Sequence, residues 1–324
     1  MNREACGAED RNEKDYGDGY VYKDLYSQSA VKSRKKRRRK RKKHHPVLFL
    51  LAAVLVVLCY QKFQNGDWSA FIFSKDGGIG KAAALEEMTA GGGVQDTMQA
   101  LEAMAQADPK ARPIVKNPEQ YPERLLSSLG RNSELLDFTL DYPQKKGTFS
   151  KNIDLSGRAQ KGQIPLLMQW DEEWGYAPYG NGIIALDGCG PTCLSMVTVG
   201  LTGDMSQNPK KMAEFSERNG YLDEKSDSTR WTLMSDGARQ LGLNSRELSL
   251  SRGLMVRELK ERHPIICCMG PGDFTTQGHF IVLSAVQDGE FCVLDPNSKQ
   301  RSRKTWSYDR LKPQIRNLWA ISNS

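Results

Sequence analysis

Hydrophobic positions follow two different patterns along the chain, and the change comes near residue 163. Before it, apolar residues three or four apart in VQDTMQALEAMAQA (94–107) predict an amphipathic helix. Leucines on one face of residues 122–131 predict a second helix. The polar residues 132–134 offer a cap for a third helix, ELLDFTL, which Tyr142-Pro143 is expected to end.

From residue 163 onward, strand-like and helix-like runs alternate with Gly, Pro and Asp. The strand-like runs are IPLLMQW (164–170), HPIICCM (263–269), HFIVLSAV (279–286) and EFCVLD (290–295). The helix-like runs cover residues 191–202, 209–220, 232–243 and 251–262. Because helices dominate the first half of this region and paired strands the second, the order predicts an α+β fold and not a doubly wound parallel sheet.

The positive charge of the chain is concentrated in one tract. Lys+Arg number 46 against 39 Asp+Glu, and residues 32–43 hold eleven of the basic residues in twelve positions. Without that tract, 35 positive and 39 negative residues leave a net charge of −4. The body of the protein is therefore not expected to bind nucleic acid, although nuclear targeting or nucleic-acid contact is a competing use of the basic run itself.

An uncharged run of fifteen residues, Pro46–Tyr60, follows the basic tract. A membrane span needs about 20 apolar residues, and flanking lysines and aromatic residues extend this one into the interfaces. We predict a single transmembrane signal anchor over 46–63, with the basic side cytoplasmic and residues 32–43 against anionic lipid. A buried core helix and a cleaved signal peptide are the alternatives, and no A-x-A-like cleavage site follows the run.

This anchor divides the chain into predicted regions. Residues 1–45 are expected to form a disordered cytoplasmic tail that ends in the basic run. Residues 64–97 are rich in glycine and are expected to form a flexible linker. Residues 98–162 form a helical lead-in to a domain over 163–324, which is predicted to lie outside the cell membrane.

Among seven cysteines, Cys189 has the context typical of a nucleophile. The chain contains no C-x-x-C and no zinc-site spacing, so no metal or cofactor is expected, and the cysteines inside apolar runs are predicted to pack in the core. Gly188 and Gly190 flank Cys189, and Pro191 suits the first turn of a helix. The positive end of the helix dipole favours a thiolate there, and backbone N–H groups can bind an oxyanion. A cysteine that merely fits a glycine-rich turn is the alternative.

A thiolate needs a base, and four histidines are present. His44 and His45 belong to the basic run. His263 ends a charged helix and is expected to be exposed or to cap it. His279 follows a glycine and begins a strand, which makes it the candidate base, with a buried structural histidine as the alternative.

The partner of His279 is expected across a hairpin. Asp295 lies sixteen residues later, on the other side of a turn at Asp288-Gly289, so the hairpin brings the open ends of the two strands side by side. Asp295 would then orient the imidazole; an Asx turn at the following proline is its alternative role, and Asn297 is a second candidate partner. Gln169, at the end of a predicted strand, is either an oxyanion donor or a polar strand end.

These segments together resemble a known family. In chain order, Gln169-Trp170-Asp171, Gly188-Cys189-Gly190-Pro191-Thr192, Gly278-His279-Phe280 and Asp295-Pro296-Asn297 resemble the C39-like cysteine peptidases of the papain-like group. Tyr121–Leu126 also resembles the helical lead-in of membrane-anchored bacterial members. The resemblance covers roughly residues 98–322.

The resemblance implies a papain-like fold, a helical half plus an antiparallel sheet, over 163–324. It implies that Cys189 is the nucleophile, His279 the general base and acid, Asp295 the orienting acid and Gln169 the oxyanion donor. Gln169 lies twenty residues before Cys189, a longer gap than in papain itself. No GxxxxGK[ST] motif is present, so the leader-peptide cleavage of transporter-fused relatives is not implied.

The predicted function is that of a membrane-anchored cysteine peptidase acting on a peptide or protein substrate. A catalytically inactive peptide-binding module and a cell-wall amide hydrolase are the alternatives. No residue pattern selects the scissile bond. The sequence also leaves open whether residues 98–150 inhibit the domain, act as a spacer or pack against it.

Overall fold

The computed structural model describes residues 94–223 and 226–324. The predicted tail (1–45), the predicted anchor (46–63) and nearly all of the predicted linker (64–97) lie outside the described residues. Within the described ranges, no helix combines the length and the apolar composition that crossing a membrane requires.

The helices of the described ranges precede and flank the sheet. They are α1 Val94–Ala107, α2 Arg112–Lys116, α3 Glu123–Arg131, α4 Leu136–Lys145, α5 Ile184–Asp187, α6 Cys189–Thr202, α7 Pro209–Arg218, α8 Ala238–Gln240, α9 Arg252–Lys260, α10 Lys299–Ser302 and α11 Tyr308–Leu311. Short 3-10 turns cover Pro109–Ala111, Pro118–Gln120 and Ser133–Leu135, and a π-helical turn covers Leu233–Gly237.

In the part of the chain that the structure describes, the strands form one antiparallel sheet and two short ribbons. They are β1 Pro178–Tyr179, β2 Gly182–Ile183, β3 Leu222–Asp223, β4 Ser228–Thr229, β5 Leu243–Glu247, β6 Ile265–Met269, β7 His279–Gln287, β8 Glu290–Leu294, β9 Thr305–Trp306 and β10 Ile315–Asn323. The sheet has the order β5-β10-β6-β7-β8-β9. The predicted α+β architecture is therefore confirmed.

Helix α6 is the central helix of the domain because almost its whole surface is apolar. From Gly190 to Gly200 every residue is buried, and Cys193, Met196 and Val197 share a core cluster with Val282 of β7. A second cluster, which includes Met255 of α9, occupies another part of the sheet. The N-terminus of α6 is thereby held rigidly, and with it Cys189.

The predicted hairpin joins β7 to β8. Its turn residues Asp288 and Gly289 have φ values of 51° and 80°, which suit a two-residue turn with both residues left-handed. Leu294 pairs with Val282, so Asp295 directly follows the last paired residue of β8. The strand pairing brings Asp295 near the beginning of β7, where His279 lies.

The helical lead-in packs against the rest of the described chain through a third core cluster. Leu101, Leu125 and Leu129 share this cluster with Tyr176, which lies about thirty residues beyond the end of α4. The ring of Tyr176 stacks on Phe138 with centroids 4.0 Å apart, and its hydroxyl donates to the Phe138 carbonyl at 2.9 Å. Aromatic stacking and a buried hydrogen bond thus fasten α4 to the domain.

The predicted strand over 164–170 is wrong. Residues 164–168 have no regular secondary structure and 169–170 belong to a turn, and two backbone donors of the segment bond to other parts of the chain. The Gln169 N–H donates to the Pro296 carbonyl at 2.8 Å, and the Leu167 N–H faces the Met196 sulfur at 3.3 Å. Pro165 has no N–H to offer a ladder.

Two further predictions were wrong, and one strand was missed. The predicted helix over 232–243 divides into the π turn and α8, and then gives way to β5 at Leu243. Helix α4 passes through Pro143 and ends at Lys145, so that proline does not stop it. Strand β10, which lies between β5 and β6 in the sheet, was not predicted at all.

Candidate active site

Cys189 begins helix α6 and is partly exposed. The flanking glycines serve close packing: a Cβ on Gly190 would lie 2.7 Å from the Thr229 side chain, and one on Gly188 would lie 2.7 Å from the Ile184 carbonyl oxygen. Gly188 has a φ of −87°, so the turn itself does not require a left-handed residue. Any larger side chain at these positions would displace the start of the helix.

His279 and Asp295 form a buried pair. The distance from His279 Nε2 to Asp295 Oδ1 is 2.8 Å, and the two side chains are 7% and 0% exposed. The Cys189 thiol is close enough to the imidazole to raise the pKa of His279, and Nδ1 is the ring nitrogen that Asp295 leaves available for it. Cys189, His279 and Asp295 therefore follow one another as nucleophile, base and orienting acid: His279 can take the thiol proton, and Asp295 can orient the imidazole and stabilise its protonated form.

Electrostatics favour a protonated His279 at neutral pH. Burial by itself lowers the pKa of His279, but the charge and hydrogen bond of Asp295, together with Cys189, outweigh burial and raise the pKa to about 9. An imidazolium next to a sulfur atom stabilises a thiolate.

Asp295 is held by more partners than the sequence suggested. Its Oδ1 accepts the Asn297 N–H at 2.8 Å, which is the Asx turn named above as an alternative role, so the turn and the pairing with His279 coexist. Its Oδ2 accepts from Arg301 Nε. Burial raises the pKa of Asp295, but the charges and hydrogen bonds of His279 and Arg301 bring it below its usual range.

Arg301 and the backbone role of Asn297 were missed in the sequence. Asn297 contributes its N–H and its carbonyl, and the sequence cannot distinguish these from its side chain. Ser298 accepts the Arg301 N–H at 3.1 Å and caps α10. A serine at this position was the signal in the sequence for the start of a short helix. A short capped helix after Asp295 returns the side chain of Arg301 to the carboxylate six residues earlier.

Gln169 bonds both to the segment before Cys189 and to the segment after Asp295. Its Nε2 donates to the Ala185 carbonyl at 2.7 Å, four residues before Cys189, and its backbone N–H donates to Pro296, next to Asp295. The side chain is buried, and its Oε1 has no hydrogen-bond partner. Since an amide nitrogen carries two N–H groups, one remains for a further acceptor.

Other cysteines of the domain are buried more deeply than Cys189. Cys193, Cys267 and Cys268 are free thiols in the core, as predicted for cysteines in apolar runs. Burial raises the pKa of the Cys193 and Cys267 thiols far above the usual range and that of Cys268 to about 11. Their thiolates are thus strongly disfavoured.

One group of metal-ligand type occurs within the described ranges, at the end of α9. Glu258, Glu261 and His263 place ligand atoms within 4.8 Å of one another. Glu258 is already paired with Arg246 at 2.6 Å and with His263 Nδ1 at 3.1 Å. The positive charge of Arg246 satisfies this carboxylate, and the group does not include any of the four predicted site residues.

A family profile described as the Peptidase_C39 like family matches residues 161–324, half of the chain. The chain belongs to this family. The matched segment contains Gln169, Cys189, His279 and Asp295, and membership of the Peptidase_C39 like family supports a function of the peptidase type.

Solved structures similar to this member of the Peptidase_C39 like family include two from bacteria. The peptidase domain of Streptococcus ComA, a bifunctional ABC transporter involved in a quorum-sensing pathway, is 17% identical; the match covers 42% of this chain and 92% of that chain with a TM-score of 0.33. A Bacillus anthracis protein named as a C39-like peptidase is 13% identical, covering 50% and 96% with a TM-score of 0.31. No curated protein matches the chain.

Proposed function

We propose that the chain is a membrane-anchored cysteine peptidase that hydrolyses a peptide or amide bond outside the membrane. One observation carries the proposal: a partly exposed thiol at the start of a buried helix interacts with an imidazole whose Nε2 lies 2.8 Å from a fully buried carboxylate. A protonated imidazole beside a thiol favours the thiolate, which is the form of cysteine that attacks a carbonyl carbon.

In the proposed acylation step, the Cys189 sulfur attacks the carbonyl carbon and forms a C–S bond while the carbonyl electrons move to oxygen. The free N–H of Gln169 and the backbone N–H groups at the start of α6 would donate to that oxyanion. His279 then gives its proton to the amide nitrogen as the C–N bond breaks. This releases an amine and leaves a thioester.

In the proposed deacylation step, neutral His279 takes a proton from water, and the oxygen of that water attacks the thioester carbon. The C–S bond breaks, the acid product leaves, and the thiolate–imidazolium pair is restored. Asp295 keeps the imidazole in one orientation and stabilises its protonated form in both steps.

The nucleophile is tested by incubating the full chain with a peptide library and comparing the wild type with Cys189→Ala. Cys193→Ala is the matched control, because Cys193 lies one turn further along α6 but is buried in the core. We expect hydrolysis by the wild type and by Cys193→Ala, and none by Cys189→Ala.

Two other outcomes would redirect the proposal. If the wild type binds peptides without cleaving them, and iodoacetamide labels Cys189 no faster than Cys268, the chain is a non-catalytic binding module. If only cell-wall peptides are cleaved, again through Cys189, the enzyme is a cell-wall amide hydrolase.

The membrane part of the proposal rests on the sequence of residues 32–63, which lie outside the described residues. An eleven-charge basic tract before an apolar run orients a single anchor with its N-terminus inside. Fractionation of cells that express the full chain should recover it with membranes. An external protease should reach the domain over 163–324, and a purely cytosolic chain would contradict the proposal.

A further inference from the structure

The turn that carries Asp295 is fastened from outside the family-matched segment, which begins at residue 161. Glu134, in the turn between α3 and α4, extends its carboxylate to the start of α10. It accepts from the Ser298 hydroxyl, from the Lys299 N–H at 2.9 Å and from the Gln300 N–H at 3.1 Å. These groups precede Arg301, the residue that binds the Asp295 carboxylate.

A second side chain of the lead-in holds the same turn. Asn132 Nδ2 donates to the Asn297 carbonyl at 2.6 Å, and the Trp170 indole N–H donates to the same oxygen at 3.0 Å. The Asn132 Oδ1 meanwhile accepts the Glu134 N–H at 3.1 Å. Asn132 and Glu134 are thus bonded to each other in addition to their contacts with the turn.

The lead-in also contacts the segment before the nucleophile. Arg124 of α3 donates through both terminal nitrogens to Asp187, which lies two residues before Cys189. Burial raises the pKa of Asp187, and Arg124 opposes that rise. A carboxylate 5% exposed needs such a partner to remain charged.

We propose that the helical lead-in is part of the catalytic machinery, with Glu134 and Asn132 as positioning residues that hold the Asp295 turn against His279. This inference rests on the proposed function. Of the roles left open for the lead-in, it favours packing against the domain over a spacer, because the lead-in contacts the Asp295 turn and the segment before Cys189.

The physical argument is one of entropy. Residues 295–302 contain α10, a helix of four residues, which is too short to be stable alone. Glu134 satisfies N–H groups that the first turn of a helix leaves without partners. Without that carboxylate the turn gains conformational freedom, so Arg301 and Asp295 spend less time in the geometry that His279 needs.

The test compares Glu134→Gln and Asn132→Asp with Asp137→Asn in the full chain. Gln keeps the shape of Glu134 but places an NH₂ group against N–H donors. Asn132→Asp retains the Oδ1 that caps the turn and loses the donor to Asn297. Asp137→Asn is the matched control, because it removes a charge from the lead-in at a residue of α4 whose side chain is 71% exposed.

The readout is the rate at which iodoacetamide labels Cys189, mapped by mass spectrometry as a function of pH, with a melting curve for each variant. We expect Glu134→Gln and Asn132→Asp to label about tenfold to a hundredfold more slowly near neutral pH and to approach the wild type at alkaline pH. A purely structural loss would lower the melting temperature without changing the shape of the profile. Asp137→Asn should match the wild type.

Failure of the inference is distinct from failure of the proposed function. If wild-type labelling is fast and lost in His279→Ala, while folded Glu134→Gln and Asn132→Asp keep the wild-type profile, only the inference is overturned. If the wild type itself labels Cys189 slowly and independently of His279, both are overturned. Should Glu134→Gln fail to fold, Asn132→Asp alone decides by the same criterion.

Discussion

Replacing Asp295 by Asn separates the charge of this residue from its role in the turn. The carboxylate is 0% exposed and bonds His279, Arg301 and the Asn297 N–H. Asn has nearly the same shape and keeps an Oδ1 for the Asn297 N–H, so the Asx turn should persist. What is lost is the negative charge beside the imidazole and, because Nδ2 replaces Oδ2, the acceptor for the Arg301 Nε–H.

The magnitude follows from the pKa of His279, which is raised from 6.5 to about 9. Since one pKa unit corresponds to about 1.4 kcal/mol, the protein stabilises the imidazolium by about 3 kcal/mol in total. Burial opposes this stabilisation and remains in the variant. We therefore expect Asp295→Asn to lower the pKa of His279 by about two units or more.

The consequence for Cys189 can be measured without a substrate. Each unit lost from the pKa of the imidazole makes proton transfer from the thiol about tenfold less favourable, so a loss of two units or more lowers the thiolate–imidazolium population, relative to the neutral pair, by about a hundredfold or more. Iodoacetamide labelling of Cys189 between about pH 5 and pH 10 reports that population. The wild type should label rapidly at neutral pH, and Asp295→Asn should label slowly there.

Asp236→Asn is the control, because Asp236 is an exposed carboxylate that also pairs with an arginine, Arg239, at 2.9 Å. It should leave the labelling profile unchanged. If folded Asp295→Asn labels like the wild type, the charge of Asp295 does not act on the thiol. The residue would then serve only the turn, and the triad reasoning would be refuted.

Three further predictions give independent checks, one of them with a comparison variant. Gln169→Ala should lower kcat for peptide hydrolysis by about a hundredfold to a thousandfold. It should leave iodoacetamide labelling unchanged, since alkylation forms no oxyanion, and equal losses in both assays would contradict the role. Gly190→Ala places a Cβ 2.7 Å from Thr229, so the free energy of unfolding should fall by about 1–3 kcal/mol. In Gly278→Ala the added Cβ has no neighbour within 4 Å, so the free energy of unfolding should change by less than about 0.5 kcal/mol in denaturant titrations. Equal effects of Gly190→Ala and Gly278→Ala would show that the Thr229 contact is irrelevant. Because the pKa of His279 is raised to about 9, its contribution to stability is complete below pH 6.5 and is lost as the pH rises through about 9. Unfolding titrations across that range should show a steeper alkaline loss for the wild type than for His279→Gln.

The hairpin could be predicted because its information is local. Asp288-Gly289 accepts left-handed φ angles, and the apolar runs on either side pair from that turn outward. His279 and Asp295 then meet as a consequence of strand pairing. The position of Cys189 at the start of a helix was predictable for a similar reason, since Pro191 and the flanking glycines indicate where that helix begins.

Segments whose partners are distant in sequence were not predictable. Residues 164–170 have the composition of a strand, but their donors bond Pro296 and face Met196. Strand β10 completes the sheet by pairing with β5 and β6, and its polar residues gave no clear period. Propensity is a weak guide where tertiary contacts decide which backbone groups are satisfied.

By itself, the sequence of this chain determined which groups are available for chemistry and how local turns present them: a thiol at a helix start, and an imidazole and a carboxylate on one hairpin. Only the tertiary structure decided what surrounds them. Arg301 binds the carboxylate, Gln169 connects both halves of the site, and Glu134 reaches the Asp295 turn from more than 160 residues away along the chain. Hydrogen bonds of that range leave no periodic signal, because they depend on where whole helices pack and not on the spacing of neighbouring residues.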